Sequence, residues 1–316
     1  MNRKILAGAA VVMIGLCALA ASQSRMVQNL YYAMTYERTL DRYDQVDTTS
    51  TDVTSRVGSD RREANLVSAF FGIDDALPRI LADRAICEGA SGQDGMPVIF
   101  SHEVDVTTVE PGDFEILRAS GERGGVTCLT LAPADGPGEL RTVLLAGQFG
   151  SEADPPLRVT ITGNILSLDG SANFRGAEVE IVPLADGPSI VMAETVPADQ
   201  WTLEQRATSI PFGGGSGCPA GTSQVLRVVW NGGVTKPDGT PADEQEGRLY
   251  EVTVQRSDGA PETVTAMALA DTGDGDNNHK LCLETTDPVV SVSFPAGYVT
   301  DPRDDLNPAT SVLLSN

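Results

Sequence analysis

The chain has 316 residues, 44 acidic against 22 basic, for a formal net charge of −22, and aromatics make up only 5 % of it. So acidic a surface repels phosphate backbones and anionic lipid heads, which excludes nucleic-acid binding and leaves membrane contact to the N-terminal segment alone. With 32 glycines and 19 prolines among many short Val, Ile, Leu and Thr runs, the composition predicts strands and turns, and at roughly 100–150 residues per domain the length predicts two domains.

In chain order, residues 1–21 read as a signal peptide or membrane anchor. Arg3 and Lys4 precede an apolar run from Ile5 to Ala21 that contains the small-residue stretch Ala18-Leu19-Ala20, the order of an export signal. Cleavage after Ala20 or Ala21 is expected, with an uncleaved anchor as the rival. A lipid on Cys17 is disfavoured, because Leu16 stands where a small residue is expected. Each reading puts the remainder outside the cytoplasm. Residues 22–65 are expected to hold a short helix, with Leu30, Met34 and Tyr36 toward one side, and then a flexible tether, since VDTTSTDVTSRVGSDRR is polar and lacks a core pattern. LVSAFFGIDDALPRI opens the folded body.

From Cys87 onward the chain repeats itself. MPVIFSHEVD is echoed by LRVVWNGGVT, GDFEILRASG by RLYEVTVQRSDG, and GVTCLTLAPAD by TVTAMALADTGD. ITGNILSLDGSANFRGAEV is echoed by FPAGYVTDPRDDLNPATSV, with Gly163 matching Gly297 and Asn173 matching Asn307. Ordered matches at a nearly constant spacing imply a duplicated module. Each copy holds short alternating stretches separated by Gly, Pro, Asp and Asn, the sequence form of an antiparallel sandwich.

The order VIFSHEVDVTTVEPGDFEI, LTLAPADGPGELRTVLLAG, LRVTITGNILSLDGSAN resembles the bacterial Ig-like modules repeated in surface-layer and adhesin-type proteins. In the second copy NGGVT replaces SHEVD and DDLN replaces DGSAN, so the resemblance is weaker there. It implies an all-β chain of two tandem Ig-like antiparallel β-sandwich modules. The first spans 66–185, a linker or entry strand spans 186–217, and the second module spans 218–316.

With Cys17 removed, Cys87, Cys128, Cys218 and Cys282 remain, and an even number in an exported chain reads as disulfides. Four cysteines permit three pairings. Cys87 and Cys218 are equivalent in the repeat, whereas Cys128 aligns with Ala266 and Cys282 with Leu144. If CLTLAPADGPGELRTVLL is a hairpin turning near Gly136, positions 128 and 144 face each other across paired strands. A cysteine at either place then reaches the same leading cysteine, which predicts Cys87–Cys128 and Cys218–Cys282, each contributing about 3 kcal/mol.

Three stretches could carry chemistry. In DTGDGDNNHKLCLETTD, Asp274, Asp276 and Asn278 have the alternate spacing by which an oxygen-rich loop wraps calcium. However, His279 occupies the glycine position and Thr285 that of the closing glutamate. A solvated turn is the plainer expectation. His102 and His279 are the only histidines. They occupy non-equivalent places without a HExxH or HxH companion, which predicts strand-edge or surface residues. FGGGSGCPAG fails the G-x-S-x-G spacing because Cys218 replaces the last glycine. The expectation is therefore an exported, non-enzymatic binding, adhesion or structural protein whose partner is an extracytoplasmic protein or glycan. The alternative is a secreted metal-dependent hydrolase with a site between the modules, around His102, His279 and the acidic loops.

Overall fold

The computed structural model describes residues 64–78, 82–83, 86–202, 217–271 and 275–315. The expected signal or anchor, the short helix and the tether fall in residues 1–63, outside the described part.

The protein is all-β. Its first unit is built from β1 (Leu66–Phe70), β2 (Asp94–Phe100), β3 (Phe114–Arg118), β4 (Arg123–Thr130), β5 (Thr142–Gln148), β6 (Pro156–Ile161) and β7 (Glu178–Val182). These close into a barrel in the order β1-β2-β5-β4-β3-β6-β7. Alternation places Met96, Val98 and Phe100 of β2 inside the barrel. There the Phe100 ring meets Phe174 edge-on at 4.8 Å and Phe114 at 6.3 Å.

Closure differs from the expected pair of separate sheets, and β4 is one reason. Its first residues pair with β3 (Ile116↔Gly124) and those from Gly125 on with β5 (Gly125↔Gln148, Leu129↔Leu145), with a bulge between Val126 and Cys128 just past the crossing. The crossing requires glycine: a Cβ on Gly124 would lie 2.9 Å from the Phe149 Cα, and one on Gly147 2.1 Å from the Gly125 carbonyl oxygen. Parallel pairing of β1 with β7 (Ala69↔Ile181, Phe70↔Val182) shuts the other side.

The second unit contains β8 (Ile190–Thr195), β9 (Gln224–Trp230), β10 (Glu251–Gln255), β11 (Pro261–Thr265), β12 (Ala268–Ala270), β13 (Asn278–Leu283), β14 (Val289–Phe294) and β15 (Thr310–Leu313). It forms two sheets, β12-β13-β9-β8 and β11-β10-β14-β15. The strand that crosses over in the barrel has its counterpart here in β11 and β12, separated at Ala266-Met267. One piece pairs with β10 and the other with β13, so the sheets stay apart. With β11 and β12 counted as one strand, both units place strands one, two, five and four side by side, and strands three, six and seven likewise.

The disulfides are Cys87–Cys128 and Cys218–Cys282, with Cα separations of 6.4 and 5.6 Å, as the hairpin argument expects. The register is shifted: Cys128 faces Ala146, not Leu144, because the turn centres on Pro137, one residue beyond Gly136. Cys282 faces Ala268 across the corresponding hairpin. The two bridges make this an exported or cell-surface chain, since such bonds persist where thiols are oxidised. Among the described residues no helix is long and apolar enough to cross a membrane.

Candidate functional site at the junction of the two units

Strands β9 (QVLRVVW) and β13 (NHKLCL) are buried on both faces. Leu226, Val228, Trp230, Leu281 and Leu283 point into the core of the second unit. The opposite face of β9 carries Arg227 and Val229, and that of β13 carries Lys280. Val229 packs with Met192 of β8 and Ile99 of β2, an apolar patch joining the two units.

An ionic seam runs beside that patch. The Glu194 Oε1 accepts from the Arg141 Nη2 at 2.8 Å and from the Arg227 Nη1 at 2.7 Å. The other Arg227 terminal nitrogen donates to the Pro137 carbonyl at 3.2 Å. The Lys280 Nζ lies 3.2 Å from the Glu139 Oε1 and 2.5 Å from the Asp271 Oδ2. Asn277 adds a neutral contact, donating to the Thr142 Oγ1 at 3.1 Å. Glu139 and Arg141 belong to the first unit, and Glu194, Arg227, Asp271 and Lys280 to the second. The seam thus gathers three basic and three acidic side chains.

Burial sets the electrostatics. Side-chain exposure is 2 % at Arg227 and 3 % at Glu139. Burial, reinforced by the Asp271 charge, pushes Glu139 up to about 8, against the pull of Lys280. Burial lowers Lys280, but Glu139 and Asp271 outweigh it and hold the ammonium above its ordinary value. Burial lowers Arg141, partly offset by Glu194. Gly138, at φ +84°, makes room for the pairing: a Cβ there would lie 2.2 Å from an Arg227 terminal nitrogen.

At one end of the seam a cleft of about 920 Å³ opens between the units, with Arg141 and Glu194 in its wall. His102 lines it. Its Nδ1 is 2.9 Å from the Ser101 Oγ, and its ring leans on Phe174 at 6.4 Å between centroids.

The structure separates the residues that the sequence grouped into one candidate site. His279 is not at the surface: it is 4 % exposed, in the core of the second unit. Its Nδ1 is 2.7 Å from the Tyr250 hydroxyl, which also accepts from the Trp230 indole at 2.9 Å. Burial pulls His279 down to about 4, with Asp271 opposing, so the ring is neutral. The shared site expected for a metal-dependent hydrolase around His102 and His279 therefore has no second histidine in the cleft. Asp274 lies outside the described residues. Asp276 and Asn278 do sit together, but not in a solvated turn: both are buried, and the Asp276 carboxylate accepts the Asn278 backbone and side-chain N–H groups at 2.7 and 2.9 Å. A different acidic group, Asp74, Asp75 and Asp94, brings its oxygens together. Its buried member Asp94 accepts from the backbone N–H groups of Asp75 at 2.8 Å and Phe149 at 2.6 Å, which accounts for it structurally.

The seam was the feature the sequence reading missed. Its signal was present: Arg227 and Lys280 each interrupt a strand that is otherwise nearly all apolar, and a lone cation inside such a run marks a covered face carrying an ion pair.

Among solved structures, the chain is similar to the N-terminal part of the bacterial S-layer protein SbsC, at 11 % identity and a TM-score of 0.26, covering 81 % of this chain and 45 % of that one. It is also similar to surface layer protein SbsC, domains 1-6 (11 %, 0.27, covering 80 % and 40 %), and to the S-layer protein rSbsC(31-844) (12 %, 0.27, covering 80 % and 41 %). The chain thus spans less than half the length of these structures. No family model matches it, and no curated protein does.

Proposed function

We propose that this is an exported, non-catalytic binding or scaffold protein made of two duplicated Ig-like modules, held at a fixed angle and displayed outside the cytoplasm. The duplication is supported by the common strand order, which corresponds to the A-B-E-D and C-F-G sheets of the Ig arrangement. It is further supported by the disulfides: each begins just ahead of its unit's second strand and ends on the hairpin formed by strands four and five. The observation that carries the functional reading is the seam. A hinge between catalytic domains would call for a wet, separable interface, whereas buried ions and an apolar patch fix one geometry and keep the cleft open between two rigid bodies.

The test is surface labelling of intact cells expressing the full chain with a C-terminal epitope, together with thiol alkylation before and after reduction. The expected result is an epitope reached from outside and Cys87, Cys128, Cys218 and Cys282 alkylated only after reduction. An epitope protected behind the cytoplasmic membrane with free thiols would overturn the reading.

A further inference from the structure

We infer that the side chains of Lys280 and Asp271 condense to a covalent amide, with Glu139 relaying the protons, so that the end of β12 is bonded to β13. The chain acts here on itself, once per molecule, whatever the assembled protein binds.

The Lys280 contact differs in kind from the rest of the seam. Glu194 holds Arg141 and Arg227 by aligned hydrogen bonds of 2.8 and 2.7 Å. The Lys280 Nζ comes to 2.5 Å from the Asp271 Oδ2, inside the about 2.7–2.9 Å of an ammonium–carboxylate hydrogen bond. Yet that oxygen is buried without a hydrogen-bond partner, so the nitrogen crowds the carboxyl group without being aligned as a donor to it. A C–O bond of about 1.2 Å then puts Nζ no more than about 3.7 Å from the carboxyl carbon, near the about 3–3.5 Å of atoms poised to react. The Glu139 Oε1, likewise without a hydrogen-bond partner, lies 3.2 Å from the same nitrogen.

Local structure brings the three groups together. Ala270 faces Lys280 across β12 and β13. Asp271 follows at φ +60°, a left-handed conformation in which few residues other than Gly, Asn and Asp are found. Side-chain exposures of 10 % at Lys280 and 16 % at Asp271 keep away the bulk water that would reverse a condensation. Glu139 comes from the first unit and its two neighbours from the second, so only the docked pair assembles the set.

Burial, then the Asp271 charge and a hydrogen bond between the two carboxyls, keep Glu139 protonated at neutral pH, and an un-ionised acid between an ammonium and a carboxylate is a proton relay. Glu139 passes its proton to Asp271 and takes one from the Lys280 ammonium. The freed Nζ lone pair attacks the Asp271 Cγ and forms the C–N bond. A second proton leaves the nitrogen through Glu139 for a hydroxyl, the C–O bond breaks, and water departs. An ammonium and a carboxylate thus become one amide and one water, two buried charges disappear, Glu139 ends as it began, and no oxidant or reductant is consumed. Burial favours the free amine, but Glu139 and Asp271 outweigh it, so the ammonium is the resting form and the condensation is slow.

The test is mass spectrometry of the full chain after reduction, alkylation and trypsin digestion. Trypsin does not cut at an acylated lysine, so the expected product is one fragment from Ser257 to Arg303, lighter than its sequence by one water, with fragment ions that place the amide between Asp271 and Lys280. Glu139→Gln matches the shape of the uncharged acid but relays no proton. It and Asp271→Ala should both release the Ser257-to-Lys280 fragment at full mass, with Cys218–Cys282 still formed before reduction as the check on folding. Complete cleavage after Lys280 in wild type would overturn the inference. So would a lost water with Lys280 still cut, the mark of a cyclised Asp258-Gly259 or Asp274-Gly275. Glu139→Gln condensed as fully as wild type would overturn the relay.

Discussion

Replacing Glu194 with glutamine removes the one carboxylate that two buried guanidiniums share. Arg227 and Arg141 have side-chain exposures of only 2 % and 7 %, so neither can turn to water, and one neutral carbonyl would then face two cations. Breaking a buried pair by deleting one partner costs about 3–5 kcal/mol, because the charge left behind remains desolvated. For a protein whose net stability is on the order of 5–15 kcal/mol, that is a large fraction. Equilibrium urea unfolding at neutral pH should show a midpoint lower by about 1–2 M, for a slope of a few kcal/mol/M. The combined change of Glu194→Leu, Arg141→Met and Arg227→Met should recover most of the loss, since an apolar seam of similar volume strands no charge. A single Glu194→Gln midpoint indistinguishable from wild type would refute the reasoning, and the seam would then contribute nothing to the union of the two units.

Four further outcomes follow from the same geometry. Because the His279 pKa falls from 6.5 to about 4 on folding, the unfolded chain takes up the proton first. Its contribution is therefore complete above pH 6.5, fades as pH drops toward 4, and totals about 3 kcal/mol. Denaturant midpoints measured across that window should lose this slope in His279→Gln. Gly138→Ala would push a methyl group into the Arg227 guanidinium at a positive φ and should cost about 1–3 kcal/mol in a thermal melt, whereas Gly121→Ala, with open space around it, serves as the control for φ alone. Removing Cys218–Cys282 by a double serine substitution should cost about 2–5 kcal/mol in urea unfolding without reductant, and reducing the wild type, which also opens Cys87–Cys128, should cost more. Finally, with the Asp276 carboxylate committed to Asn278, the melting temperature should be the same with calcium and with chelator. A calcium-dependent rise would reinstate a cation at Asp274, Asp276 and Asn278.

Local rules carried much of the fold. Alternation in YEVTVQ was a sound guide to β10, whose Val252 and Val254 face the core while Glu251 and Gln255 are exposed. The disulfide pairing followed from the hairpin geometry, even though the register was off by two residues, because a turn's centre depends on loop conformation that composition does not reveal. Barrel closure was not legible, since it depends on β4 changing partners midway and on β1 meeting β7, a contact between the ends of the unit. His279 was misread for a related reason. Polar neighbours suggested exposure, but Asp276, Asn277 and Asn278 are themselves buried at the junction, and burial between units is a tertiary property. The cleft likewise draws on segments far apart in the chain, from Asn65 to Ser315.

The parallel pairing of β1 with β7 has a mechanical consequence. A pull entering the first unit at Leu66 and leaving at Val182 acts on opposite ends of two parallel neighbours, so it tries to slide one along the other. Their shared hydrogen bonds, with the Phe71 N–H to the Val182 carbonyl at 3.1 Å, are loaded together in shear rather than unzipped one after another. A chain held to an envelope at one end and gripped beyond its first unit would meet tension at the contact that closes the barrel.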